Sequence, residues 1–150
     1  MKHIIVSLII ILFFSVQLFP QFGSQDSGGP LTPEWAAYDV KFYNINLSIN
    51  PDKQTINGWV GVTAEAVINM KEFFLDLDDR YRVTKIFWDS STEYKELSFK
   101  HENGKIKIEL PEEVIIGKSF TVKIYYNGKP RVAEDPPWDD GFTWSKTKSG

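Results

Sequence analysis

From Tyr38 to Tyr126 apolar residues recur at every second position, in short runs separated by turn residues, and no window shows a convincing helical period. A period of two places alternate side chains on opposite faces of an extended strand, so this stretch restricts the fold to sheets with a buried face. Ile45, Leu47 and Ile49 alternate with Asn46 and Ser48, while Val40 and Phe42 fall on the other parity, which predicts a bulge or bend near Tyr43-Asn44. Asn50-Pro51-Asp52-Lys53-Gln54 is turn chemistry, and a second strand follows with Ile56, Val60, Val62, Ala64, Ala66 and Ile68 on one face, giving a long antiparallel hairpin. Gly58 and Gly61 inside that strand point to close backbone approach or a twist.

Shorter strands are expected over Phe73 to Leu77 and Arg82 to Trp88. Leu97 and Phe99 then alternate up to Asn103-Gly104, the strongest two-residue hairpin signal, with Ile106, Ile108 and Leu110 returning beyond it. Pro111-Glu112-Glu113 is expected to break that strand, and Phe120, Val122, Ile124 and Tyr126 form another, closed by Asn127-Gly128-Lys129-Pro130. The expected class is all-β, an antiparallel sandwich or saddle-shaped sheet of about seven to eight strands.

Residues before this region carry different signals. Lys2 and His3 precede an apolar run from Ile4 to Phe19 ended by Pro20, which reads as a secretory signal peptide over residues 1–23 and places the protein in the periplasm or outside the cell. Left uncleaved, the same segment would be an N-terminal anchor, the one route to a membrane. Residues 24–37 shift to Gly, Ser, Pro and Gln and read as a flexible lead-in, with the ordered part beginning near Tyr38. The roughly 125 residues left after cleavage make one domain.

The side chains that carry chemistry are few. The chain has no Cys, and its two histidines are His3 and His101. Zinc hydrolysis, a Ser-His-Asp triad and a Cys-His dyad each need well-placed imidazoles or thiols, so no catalytic residue, metal ligand or cofactor site is expected in this chain. An acidic balance, 17 basic against 20 acidic side chains even before Lys2 is removed, gives no footprint for nucleic acid. His101 beside Glu102 reads as a solvated turn residue, and Asp76, Asp78 and Asp79 as a charged turn lacking the glycine and closing Glu of an EF-hand. Asn46-Leu47-Ser48 matches a glycosylation sequon but falls inside a predicted strand.

Three ordered stretches carry a family resemblance. Tyr38-Asp39-Val40-x-x-Tyr43-x-Ile45-x-Leu47-x-Ile49, then Gln54-Thr55-Ile56-Asn57-Gly58, then Leu75-Asp76-Leu77 resemble the N-terminal β domain of zinc aminopeptidases of the aminopeptidase N and leukotriene hydrolase type. Asn103-Gly104-Lys105-x-x-Ile108-x-Leu110-Pro111, the run from Gly117 to Pro130, and Pro137-Trp138-Asp139-x-Gly141-Phe142 resemble the same domain in bacterial secreted members, so the likeness covers 38–144. The resemblance implies a noncatalytic domain that forms a wall of the peptide-substrate cleft and docks a catalytic metallopeptidase domain holding zinc. That family's His-Glu-x-x-His motif and its Gly-Ala-Met-Glu-Asn strand are both absent from these residues. Asp140 to Trp144 reads as the start of a further strand, and residues 145–150 as a truncated end, so the chain is expected to be the front part of a longer metallopeptidase.

Glu134 to Trp144 is the candidate binding or interface region. It places Trp138 and Trp144 among the carboxylates Glu134, Asp135, Asp139 and Asp140, with Phe142 between. Such a surface could stack a sugar or hold a cationic peptide end, or its aromatics could pack into the sheet or against a partner domain. A free-standing secreted sandwich that binds carbohydrate or mediates adhesion is therefore the alternative to the peptidase domain. Trp59, opposite in parity to Val60 and Val62, is expected at solvent, a second sheet or a partner.

Overall fold

The computed structural model describes residues 31–89 and 94–148. The expected signal peptide, the lead-in up to residue 30 and the final Ser149-Gly150 lie outside the described residues. Eight strands follow in chain order: β1 (Tyr38–Asn50), β2 (Thr55–Ala66), β3 (Met70–Asp76), β4 (Tyr81–Asp89), β5 (Tyr94–Glu96), β6 (Phe99–Glu102), β7 (Lys105–Val114) and β8 (Ser119–Gly128). They form a five-stranded sheet in the order β1-β2-β8-β4-β5 and a three-stranded sheet in the order β3-β7-β6, with every strand pair antiparallel. The all-β, antiparallel expectation holds, and of the two forms expected the strands take two sheets rather than one.

The core lies where the inner faces of the two sheets meet. Val62 and Ala64 of β2 pair with Val122 and Phe120 of β8, which pairs in turn with Ile86 and Trp88 of β4. The smaller sheet contributes Met70, Phe73, Ile106, Ile108 and Val114, all buried. Phe73 is fully buried and meets Tyr38 and Phe120 edge to face, with ring centroids 4.6 and 5.1 Å apart. It thus joins β3 to both β1 and β8. The chain passes between the sheets at Leu97-Ser98, where buried Leu97 donates its amide to the Ile86 carbonyl and the Ser98 carbonyl accepts from Glu109.

Several local expectations are corrected. The bulge in β1 falls between Val40 and Phe42 rather than at Tyr43-Asn44, so Val40, Tyr43, Ile45, Leu47 and Ile49 share the inner face while Phe42 turns outward. Ile68 lies beyond the end of β2 and is exposed. Pro111 does not end β7; the pairing jumps from Glu72–Glu109 to Met70–Val114, and proline is tolerated in such a bulge because no ladder bond needs its missing N–H. Residues 33–37 are not a loose lead-in but a turn, with Ala37 buried and its carbonyl accepting from Val67 at 2.8 Å. Asn103 and Gly104 both take positive φ, 54° and 72°, as a tight hairpin between twisted strands requires.

Tyr38 shows how burial sets a pH limit on this packing. Its hydroxyl donates to the Phe74 carbonyl at 2.6 Å, and burial, the largest cause, pushes its pKa well above the ordinary tyrosine value. The unfolded chain releases this proton near pH ~10 while the folded chain keeps it, so stability falls as pH rises above that point. Thermal midpoints measured across this range should decline more steeply for the natural chain than for Tyr38→Phe. Tyr81 and Tyr126, also raised mainly by burial, leave a residual slope in the variant; identical slopes would refute the role given to Tyr38.

Candidate functional site

Beyond β8 the chain leaves the sheet at buried Pro130 and closes a loop on itself. The Phe142 amide donates to the Arg131 carbonyl at 2.7 Å, and the Ala133 amide donates to Phe142 at 3.1 Å. Only an isolated bridge, Val132 to Phe142, forms here, so the strand expected over Asp140 to Trp144 is absent among the described residues. A loop whose ends meet in this way is held by its own side chains. The Asp139 carboxylate accepts the backbone N–H groups of Glu134 (2.6 Å) and Asp135 (3.0 Å), while Asp140 pairs with Arg131 at 2.8 Å. The first of those amide bonds, from Glu134, is the main reason that the Asp139 pKa is lowered.

This arrangement separates the residues singled out in sequence. Asp139 and Asp140 hold the loop together rather than presenting free carboxylates, and Trp138 stands 83% exposed, the most exposed large apolar side chain described. Phe142 and Trp144 are half-buried and stack with centroids 5.5 Å apart. Trp144 reaches the β1–β2 turn, lining a groove with Pro51, Asp52 and Gln54. Val132, 50% exposed, lies on the same loop as Trp138. The loop thus offers an apolar, indole-tipped surface.

A second concave feature lies between the sheets, on the side of β1. Tyr43, Ile45, Val60 and Tyr126 of the larger sheet face Leu75, Asp76 and Leu77 across an open cleft of about 480 Å³ that also touches Trp35 and Tyr38. Desolvation here raises the Asp76 pKa, with Lys105 opposing it from the paired position on β7. Lys105 also lies over the Trp35 ring at 4.4 Å, and the Trp35 indole nitrogen is buried without a hydrogen-bond partner. Sequence periodicity missed this cleft, because alternation identifies an apolar face without saying whether anything covers it. Trp35, inside the expected lead-in, gave no signal at all.

The remaining candidates are structural. His101 is not a solvated turn residue: its side chain is 11% exposed, and Nε2–H donates to the Leu77 carbonyl at 2.8 Å with Asp79 3.6 Å away. Asp79 accepts the Gly104 amide, and Asp78 accepts the Arg80 amide, so these carboxylates order the β3–β4 turn and the neighbouring hairpin. No group of three His, Cys, Asp or Glu side chains among the described residues converges as a metal site needs. The residues described do not fit a zinc centre. On the outer face, Trp59 is half-buried beneath the Lys123 ammonium, 3.9 Å from its ring centroid.

Comparison with solved structures places this two-sheet arrangement. A two-domain M1 zinc metallopeptidase, a variant bound to L-tryptophan, superposes with TM-score 0.56 and 24% identity, over 67% of this chain and 22% of that one. An M1 zinc metallopeptidase variant from Deinococcus radiodurans, bound to a Tyr-Ser-Ala substrate, gives TM-score 0.58 and 23% identity, over 77% and 25% of the two chains. The chain has the fold of one part of an M1 zinc metallopeptidase. It spans only about a quarter of the M1 chains that it matches. No family model and no curated protein matches it.

Proposed function

We propose that this chain is the noncatalytic N-terminal domain of an exported zinc-dependent aminopeptidase, where it forms one wall of the peptide cleft and docks the catalytic domain. The observation that carries this reading is the fold shared with M1 zinc metallopeptidases over two thirds or more of the chain, combined with coverage of only about a quarter of theirs. The missing His-Glu-x-x-His motif fits a division of labour in which zinc, two helix-borne imidazoles and the general base come from the other domain. Docking would use the loop that carries Val132 and Trp138, since large exposed aromatics commonly anchor interfaces. The substrate would be a peptide with a free N-terminus, and the apolar run in residues 1–23 directs the protein out of the cytoplasm.

The exposure of Trp138 also favours one other reading, a secreted binding module using that indole as a platform for sugar. Reading the gene in frame beyond codon 150 separates the two. A His-Glu-x-x-His motif followed by a Glu supports the peptidase domain, whereas a stop codon at 151 overturns it in favour of the binding module. The 150-residue chain by itself should release no chromophore from aminoacyl substrates, with or without added zinc. Hydrolysis that a chelator abolishes would contradict the noncatalytic assignment.

A further inference from the structure

The loop from Arg131 to Phe142 has no apolar interior to hold its shape, since none of its residues is buried. Its conformation is therefore set by hydrogen bonds, and fewer amides can make them because Pro136 and Pro137 carry no N–H. At the neck, the backbones of Arg131 and Phe142 meet, and Arg131 pairs with Asp140. Further out, the Trp138 amide donates to the Asp135 carbonyl at 2.8 Å. Between the two arms the closure is made by one side chain. Asp139 takes the Glu134 amide on one carboxylate oxygen, at 2.6 Å, and the Asp135 amide on the other, at 3.0 Å. Both oxygens of the residue that follows Trp138 are thus tied to the opposite arm, which fixes the direction in which the exposed indole leaves the loop.

We propose that Asp139 is a latch: ionised, it holds the loop closed with Trp138 presented outward, and protonated, it lets the loop open while the sandwich stays folded. A carboxylate accepts N–H bonds more strongly than a neutral carboxyl, in which one oxygen becomes a donor. The charges around it are Arg131, which favours the ionised form, and the loop carboxylates Glu134, Asp135 and Asp140; Arg80 and Lys129 line the adjoining groove with Arg131 and Glu134. The bond from the Glu134 amide, the largest cause, lowers the Asp139 pKa in the folded chain. Closure is therefore complete above the ordinary aspartate value near pH ~4 and is lost as pH falls through the lowered folded value. No charged side chain is buried among the described residues, so acid releases the loop without breaking into the core. Use of the latch in docking rests on the reading of Trp138 as an interface anchor, whereas the latch itself does not.

Amide and indole resonances of the full chain, followed by nuclear magnetic resonance from about pH 7 to about pH 2, test this. The Glu134 and Asp135 amides and the Trp138 indole N–H should move together with a midpoint below pH ~4, while Val122 and Ile124 of β8 hold their positions. Asp139→Asn should abolish that common movement. In Asp139→Ala the Glu134 and Asp135 amides should exchange with solvent at least about tenfold faster at neutral pH, with β8 unchanged. A Trp138 signal that ignores the transition, a transition that survives Asp139→Asn, or loss of the β8 signals at the same midpoint would each overturn the proposal. The docking reading fails separately: a catalytic domain that binds Trp138→Ala as tightly as the natural chain would remove that reading and leave these shifts as they are.

Discussion

Phe73→Ala should destabilise the domain by about 4 kcal/mol, the largest loss expected from any single truncation considered. The ring is fully buried in β3, and it is the point at which the smaller sheet grips the larger one, through Tyr38 on one side and Phe120 on the other. Removing it deletes a large apolar side chain, leaves a cavity between two sheets that cannot close without shifting both, and breaks two edge-to-face pairs. Against a total stability of roughly 5 to 15 kcal/mol for a domain of this kind, that loss removes about a quarter to four fifths of it. Denaturant titration followed by tryptophan emission reads it, because buried Trp88 stacks on Phe120 at 5.7 Å and reports the same region. Phe73→Leu, which keeps most of the volume, should lose less than half as much. A midpoint for Phe73→Ala within about 1 kcal/mol of the natural chain would show that the two sheets do not depend on this contact.

Gly58→Ala should cost about 2 to 3 kcal/mol, although it adds a single methyl group. Gly58 pairs with Leu47, and a Cβ there would overlap the Asn46 carbonyl oxygen and sit 3.0 Å from both the Asn46 carbonyl carbon and the Leu47 Cα. These are backbone atoms of the adjacent strand, so no rotamer change relieves the clash and β1 itself must move. Gly61 supplies the control three residues along the same strand. Its nearest neighbour to a new Cβ is the Asn44 Cβ at 3.7 Å, an ordinary contact, and β1 need not shift. Gly61→Ala should therefore be neutral or gain up to about 0.5 kcal/mol by restricting the unfolded chain. Equal losses at the two positions, measured by thermal or urea unfolding, would refute the assignment of the close approach to Gly58 alone.

These two glycines mark how much of the fold was legible in the chain. Period-two alternation located strands β1 through β4 and β7 and β8, and Asn103-Gly104 placed the β6–β7 turn, because each of those signals reflects local backbone geometry. What local geometry cannot express was missed. Gly58 and Gly61 look alike in sequence, and only the strand lying against them tells them apart. The persistence of β7 through Pro111 depends on a bulge against β3, and the anchoring of His101 depends on a carbonyl supplied by Leu77 just beyond β3. The candidate loop was found by composition, but its internal wiring was not. Asp139 looked like an available carboxylate until the fold directed two amides of its own loop onto it.

The order of strands in the larger sheet has a kinetic consequence. β8, last of the eight in the chain, is inserted between β2 and β4, so that Glu65 waits for Ser119 and Ile56 for Gly128. The β1–β2 hairpin can form early from neighbouring residues, but within its sheet β2 has no second neighbour until β8 arrives, and β4, paired locally with β5, waits for the same strand. Contacts so distant along the chain carry their loop-closure cost before they return any stabilisation, which makes folding slow and concerted. A polypeptide emerging from its N-terminal end therefore cannot complete the larger sheet until β8 is free, and that sheet then closes around β8 as a keystone.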